Sequence, residues 1–139
     1  MAQPSRILVV DDEQSLREFL EIFLRKGGHD VQVADGGGAA VALIEAGEEF
    51  DLVLTDLKMP DVDGMGVLDT VKSSFPDTQV LIMTAYASAE TAIEAMKRGA
   101  YDYVQKPFNV DEIAVVVEKG LEQRRLLIEN RELRAQVRR

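Results

Sequence analysis

Three uninterrupted apolar runs, RILVV at 6–10, DLVLTD at 51–56 and QVLIMT at 79–84, are the strongest constraint on what this chain can become. A strand that is apolar on both of its faces needs cover on both. Where the segments between such strands carry helical periodicity, the covering layers are helices and the sheet is parallel. Leu16, Phe19, Leu20, Phe23 and Leu24 follow the first run at helical spacing, and Gly27–Gly28 end that helix.

The same unit repeats along the chain. Val31–Ala34 reads as a second strand and Ala39–Ala46 as a helix whose start Gly36, Gly37 and Gly38 weaken. The third strand spans Asp51–Asp56, and the loop KMPDVDG leads to a helix over Met65–Ser74. Gln79–Thr84 is the fourth strand, with Ser88–Arg98 as its helix, closed by Gly99. Tyr101–Gln105 is the fifth, broken by Pro107, and Asn109 with Glu112 three residues on forms a capping-box-like start to the last helix. Five strand–helix units with right-handed crossovers predict a flavodoxin-like, doubly wound parallel sheet of order 2-1-3-4-5.

Charge divides the chain into two parts. Residues 1–118 hold 9 Lys/Arg against 22 Asp/Glu, net −13, while residues 119–139 hold 7 against 3, net +4. The acidic body repels nucleic acid, and the basic tail is too short and too interrupted by Glu to read DNA specifically. With no cysteine, disulfides and thiolate metal sites are excluded. No apolar stretch reaches the length of a membrane span and MAQPSR lacks a signal peptide's apolar region, so the expected setting is cytoplasmic.

In a doubly wound sheet, ligands bind beyond the carboxyl ends of the strands. Here those ends carry Asp11–Asp12, Asp56, Thr84 and Lys106. Strands about 4.8 Å apart bring these side chains to one small cup. Carboxylates gathered there repel one another unless a cation joins them, and an all-oxygen ligand set suits a hard ion such as Mg²⁺. Lys106 and the Thr84 hydroxyl are suited to phosphoryl oxygens, and a carboxylate between them can form an acyl phosphate. Each residue taken singly has an ordinary alternative: a helix cap for the acidic pair, solvation for Lys106, a strand-end hydroxyl for Thr84, packing for Tyr103. Asp61-Val-Asp63-Gly lacks the later ligands of a calcium loop, and Gly64-Met-Gly66 lacks the third glycine of a dinucleotide fingerprint. His29, the only histidine, reads as structural or solvated.

The motifs VVDDE, LTDLKMPDVDG, MTAYA and KPF resemble those of response-regulator receiver domains over about residues 5–121. That resemblance implies phosphorylation of Asp56 by a sensor histidine kinase, with Asp12, Asp56 and the Lys58 backbone carbonyl holding Mg²⁺ and Asp11 helping through water. It implies that Thr84 and Lys106 contact the phosphoryl group and that Tyr103 turns inward when Thr84 moves. It further implies a cis Lys106–Pro107 peptide. Lys58 and Tyr86, which flank the site, are expected to tune the lifetime of the phosphoryl group by controlling water access.

The last helix carries its apolar pattern past the receiver-like region. Ile113, Val116, Val117 and Leu121 face the sheet, and Leu126, Leu127, Ile128, Leu133 and Val137 follow. With Leu126 and Leu133 at d, the a positions are Gln123, Asn130 and Val137, a combination that favours a parallel helix pair. The competing reading is an amphipathic extension packed on its own domain. Gly120 is expected to loosen the junction. The tail, 122–139, resembles the linker of NtrC-type activators of sigma-54-dependent transcription, which implies an effector domain beyond it. Homodimerisation is expected through the tail and the face of helix four, strand five and helix five. The remaining alternatives are a stand-alone receiver and, less compatible with the motifs, a flavodoxin-like or phosphatase-type enzyme; beyond its own phosphorylation and dephosphorylation, no enzyme activity is expected.

Overall fold

Within each of the longer strands, alternate residues serve opposite faces, and both faces are apolar. The computed structural model describes residues 4–85 and 88–137. In chain order the elements are β1 (Arg6–Val10), α1 (Gln14–Lys26), β2 (Asp30–Ala34), α2 (Gly37–Glu45), β3 (Leu52–Asp56), α3 (Gly64–Ser74), β4 (Gln79–Thr84), α4 (Ala89–Lys97), β5 (Asp102–Gln105) and α5 (Val110–Val137). The strands form one parallel sheet ordered β2-β1-β3-β4-β5, as the sequence pattern predicts.

Ile7, Val9, Leu52, Leu54, Leu81 and Met83 pack with Leu20 and Leu24 of α1 and with Ile113 and Val117 of α5. Their neighbours Leu8, Val10, Val53, Val80 and Ile82 face the other way, against Ala40 and Ile44 of α2, Val67, Leu68 and Val71 of α3, and Ala95 of α4. The period of two along each strand thus builds two cores on one sheet. No helix of the described residues is long and apolar enough to cross a membrane.

Element boundaries differ by a residue or two from those expected. Asp51 lies just outside β3, and its carboxylate accepts from Arg6 N at 2.6 Å and from Arg124 at 2.5 Å. Asn109 caps α5, accepting from Glu112 N at 2.7 Å, as expected.

The start of α2 lies at Gly37, two residues before the expected Ala39, with Gly36 as its N-cap. A Cβ on Gly37 would overlap the Val62 carbonyl, and one on Gly38 would overlap the Asp61 carboxylate, so the glycines admit the β3–α3 loop. Gly120 is buried inside a continuous α5, where a Cβ would lie 2.8 Å from Leu52 Cδ1. It lets the helix approach β3 closely and is not a loosened junction.

Beyond the sheet, α5 continues past the end opposite the strand carboxyl termini. There Arg124 pairs with Asp51 and with Glu49 at 2.7 Å, and Arg131 pairs with Asp77 at 2.7 Å. Ile128 is half-buried on the same side, while Leu126 (50% exposed), Leu133 (53%) and Val137 (86%) face solvent along with Asn130.

Candidate functional site

The parallel ladder runs one residue past the strands that carry the candidate site. Asp11 N donates to Ala34 O at 3.2 Å, Leu57 N to Met83 O at 3.0 Å and Lys106 N to Thr84 O at 2.8 Å. Backbone pairing therefore fixes Asp11, Asp56, Thr84 and Lys106 around one point.

Asp11 is wholly buried and Asp56 nearly so, whereas Asp12 is exposed. One carboxylate oxygen from each of these three lies within 4.8 Å of the others. The Lys106 ammonium sits between two of them, 3.0 Å from Asp11 Oδ2 and 3.4 Å from Asp56 Oδ2. Asp11 Oδ1 accepts from Glu13 N at 2.9 Å and its backbone carbonyl from the Arg17 guanidinium at 2.8 Å, so the acidic pair also organises the turn into α1. Thr84 is fully buried at the head of β4.

Burial raises the Asp56 pKa above the ordinary carboxylate value; Lys106 opposes this, the Asp11 charge adds to it, and the N–H of Leu57 opposes it again. Burial alone would depress Lys106, but its hydrogen bond and charge interaction with Asp11, and then those with Asp56, carry it upward. One lysine does not balance this carboxylate cluster. The cup favours an additional cation, and its all-oxygen donors fit a hard divalent ion.

Lys58 stands two residues beyond Asp56 in the β3–α3 loop, with its side chain exposed. The Lys106–Pro107 peptide is cis. Tyr86 lies outside the described residues. Tyr103 is half-buried against the α2–α3–α4 core, and its hydroxyl lies 2.8 Å from Thr91 Oγ1. Thr91 completes the capping box that starts α4 with Ser88, so Tyr103 is tied to the first turn of α4. The spacing Ser88-x-x-Thr91 could have revealed the cap; its link to Tyr103 is a contact between elements and left no local sequence signal. His29 is nearly buried and pairs with Glu118 of α5 at 3.1 Å, a structural role. Asp63 accepts from Gly66 N at 3.0 Å and caps α3, and Asp61 accepts from Gly38 N at 2.9 Å. Beside Lys106, a groove of about 350 Å³ runs along Leu16, Phe19, Ala85, Pro107 and Phe108. Phe19 is 45% exposed there, although its helical spacing alone reads as core.

The sequence pattern of the family described as the response regulator receiver domain matches residues 7–118. This chain belongs to that family. The receiver domain is 41% identical over 122 residues to regulatory protein AtoC of Escherichia coli K12, covering 88% of this chain and 26% of AtoC. It is 44% identical over 115 residues to transcriptional regulatory protein ZraR of the same strain, covering 83% of this chain and 26% of ZraR. Among solved structures, NtrX from Brucella abortus matches with a TM-score of 0.85 at 34% identity, over 94% of this chain and 29% of NtrX. The receiver chain thus spans about a quarter of the length of the curated relatives it matches.

Proposed function

We propose that this receiver accepts a phosphoryl group on Asp56 from a phosphohistidine of a sensor histidine kinase in the cytoplasm and passes the event to an effector. The observation that carries this reading is the Lys106 ammonium held between Asp11 and Asp56 at the heads of the strands, beside Thr84. An Asp56 oxygen forms the new O–P bond while the donor's P–N bond breaks, and the imidazole leaves with the electron pair. Lys106 neutralises charge on the phosphoryl oxygens, and the Thr84 hydroxyl donates to one of them. Asp12, Asp56 and the Lys58 carbonyl would hold Mg²⁺, with Asp11 assisting, and the ion would neutralise phosphoryl and carboxylate charge. Movement of Thr84 toward the acyl phosphate would bring Tyr103 inward, away from Thr91, and free the start of α4. The reaction changes the chain itself, so the domain is a switch and not an enzyme acting on external substrates.

Similarity to AtoC, ZraR and NtrX supports an NtrC-type regulator whose effector activates sigma-54-dependent transcription. The receiver itself, net acidic over residues 1–118, would not bind nucleic acid. The tail accommodates both readings of its pattern, on different faces. Arg124, Ile128 and Arg131 turn to the domain's own base, while Leu126, Asn130, Leu133 and Val137 remain outward for a second copy, alongside the α4–β5–α5 face. Borohydride reduction after incubation with acetyl phosphate and Mg²⁺, followed by peptide mapping, tests the acceptor. Conversion of Asp56 to homoserine is expected; trapping at another carboxylate would contradict the assignment.

A further inference from the structure

The β3–α3 loop leaves Asp56, passes Lys58 and returns to start α3. It is secured at both ends: Gly64 N donates to Leu57 O at 2.7 Å, and Asp63 caps α3. A third attachment, in the middle, comes from a different element. Asp61 Oδ2 accepts from Gly38 N at 2.9 Å in the first turn of α2. Gly36 and Gly37 are buried against the same segment, with Gly37 meeting the Val62 backbone where no Cβ would fit.

We propose that Asp61 is a positioning residue for phosphoryl transfer: docked on the glycine-built start of α2, it holds the β3–α3 loop so that the Lys58 carbonyl faces the acidic cup. Asp61 contacts neither Asp56 nor the phosphoryl group directly. It acts on metal affinity and acceptor reactivity through the loop. The inference rests on the phosphoacceptor reading given above.

Two features argue that the clasp is specific. Gly37 and Gly38 stand in the first turn of α2, where Ala would strengthen a helix; a Cβ on Gly37 would overlap the Val62 backbone, and one on Gly38 would press on the Asp61 carboxylate. The Asp61 carboxylate is held below its usual pKa by the Val62 N–H and then by Gly38 N–H, so it stays ionised against the start of α2.

Asp61→Ala, Asp61→Asn and Gly38→Ala are compared with the native chain, first without metal, by amide hydrogen exchange of residues 57–63, and then by calorimetric titration with Mg²⁺. Asp61→Ala should speed exchange in that loop and weaken Mg²⁺ binding about three- to tenfold, less than loss of a direct partner of a ligand would. Asp61→Asn, which keeps an acceptor for Gly38 N, should recover part of both. Gly38→Ala attacks the clasp from the α2 side, and its effect should not add to that of Asp61→Ala in the double variant. Unchanged loop exchange, or faster exchange with unchanged Mg²⁺ affinity in both Asp61 variants, would overturn the proposal. If the native chain takes no phosphate while exchange and metal affinity respond as stated, the phosphoacceptor reading falls and the clasp stands.

Discussion

At the scale of single residues, the site is an electrostatic imbalance held in place by backbone. Burial, opposed by Lys106 and reinforced by the Asp11 charge, holds the Asp56 pKa above its ordinary value. Its folded pKa exceeds 3.8, so the folded state binds more protons there than the unfolded state. Stability from this group is therefore greatest at or below the unfolded value. It falls as pH rises between that value and the raised one. Divalent metal requires the ionised carboxylates and offsets that loss. The increase in melting temperature on adding Mg²⁺ should thus be larger at about pH 7 than at about pH 4, where protons compete with the ion for Asp56. An equal increase at both would contradict the imbalance. Lys106→Ala should slow phosphorylation by acetyl phosphate about tenfold or more by removing charge compensation at the phosphoryl oxygens. Mg²⁺ affinity should hold within about threefold, since Lys106 is not among the oxygen donors.

Individual elements show which sequence signals reached the structure. Arg124 is 15% exposed and bridges Asp51 and Glu49, fastening α5 to the start of β3. Arg124→Ala should cost about 1–2 kcal/mol, between the values for exposed and fully buried pairs, and hasten amide exchange from residue 121 onward. Exchange confined to global unfolding in both chains would rule out this anchoring. Strands were legible because RILVV, LVLTD and QVLIMT are apolar on both faces, and right-handed crossovers leave few orders, with 2-1-3-4-5 among them. The acidic, hydroxyl and lysine positions were legible because strand ends must converge. The reason for Gly36–Gly38 and for Gly120 is a contact with a distant segment, which local sequence does not show: Asp61 and Val62 in one case, Leu52 in the other. Propensity assigns a cost to a glycine but cannot show what approaches it. The Tyr103–Thr91 contact stayed hidden for the same cause.

For the whole molecule, the acidic cup and the exposed apolar stripe of α5 stand at opposite ends of the sheet. The cup lies at the strand carboxyl termini, and the outward stripe of Leu126, Asn130, Leu133 and Val137 lies beyond the other end. Because α5 runs unbroken from Val110 to Val137, it offers a stiff path between them. Leu126→Glu with Leu133→Glu should abolish self-association in sedimentation equilibrium and leave the thermal unfolding of the receiver unchanged, because both side chains face solvent. Undiminished association would move the interface to the α4–β5–α5 face. Every step of the proposed switch depends on Asp56 as the acceptor. Intact mass after incubation with acetyl phosphate and Mg²⁺, for the native chain and for Asp56→Asn, tests it most directly. A single phosphate-sized gain that requires Mg²⁺ and is absent from Asp56→Asn is the predicted result. The same gain in Asp56→Asn, or no gain in the native chain with or without Mg²⁺, would contradict it.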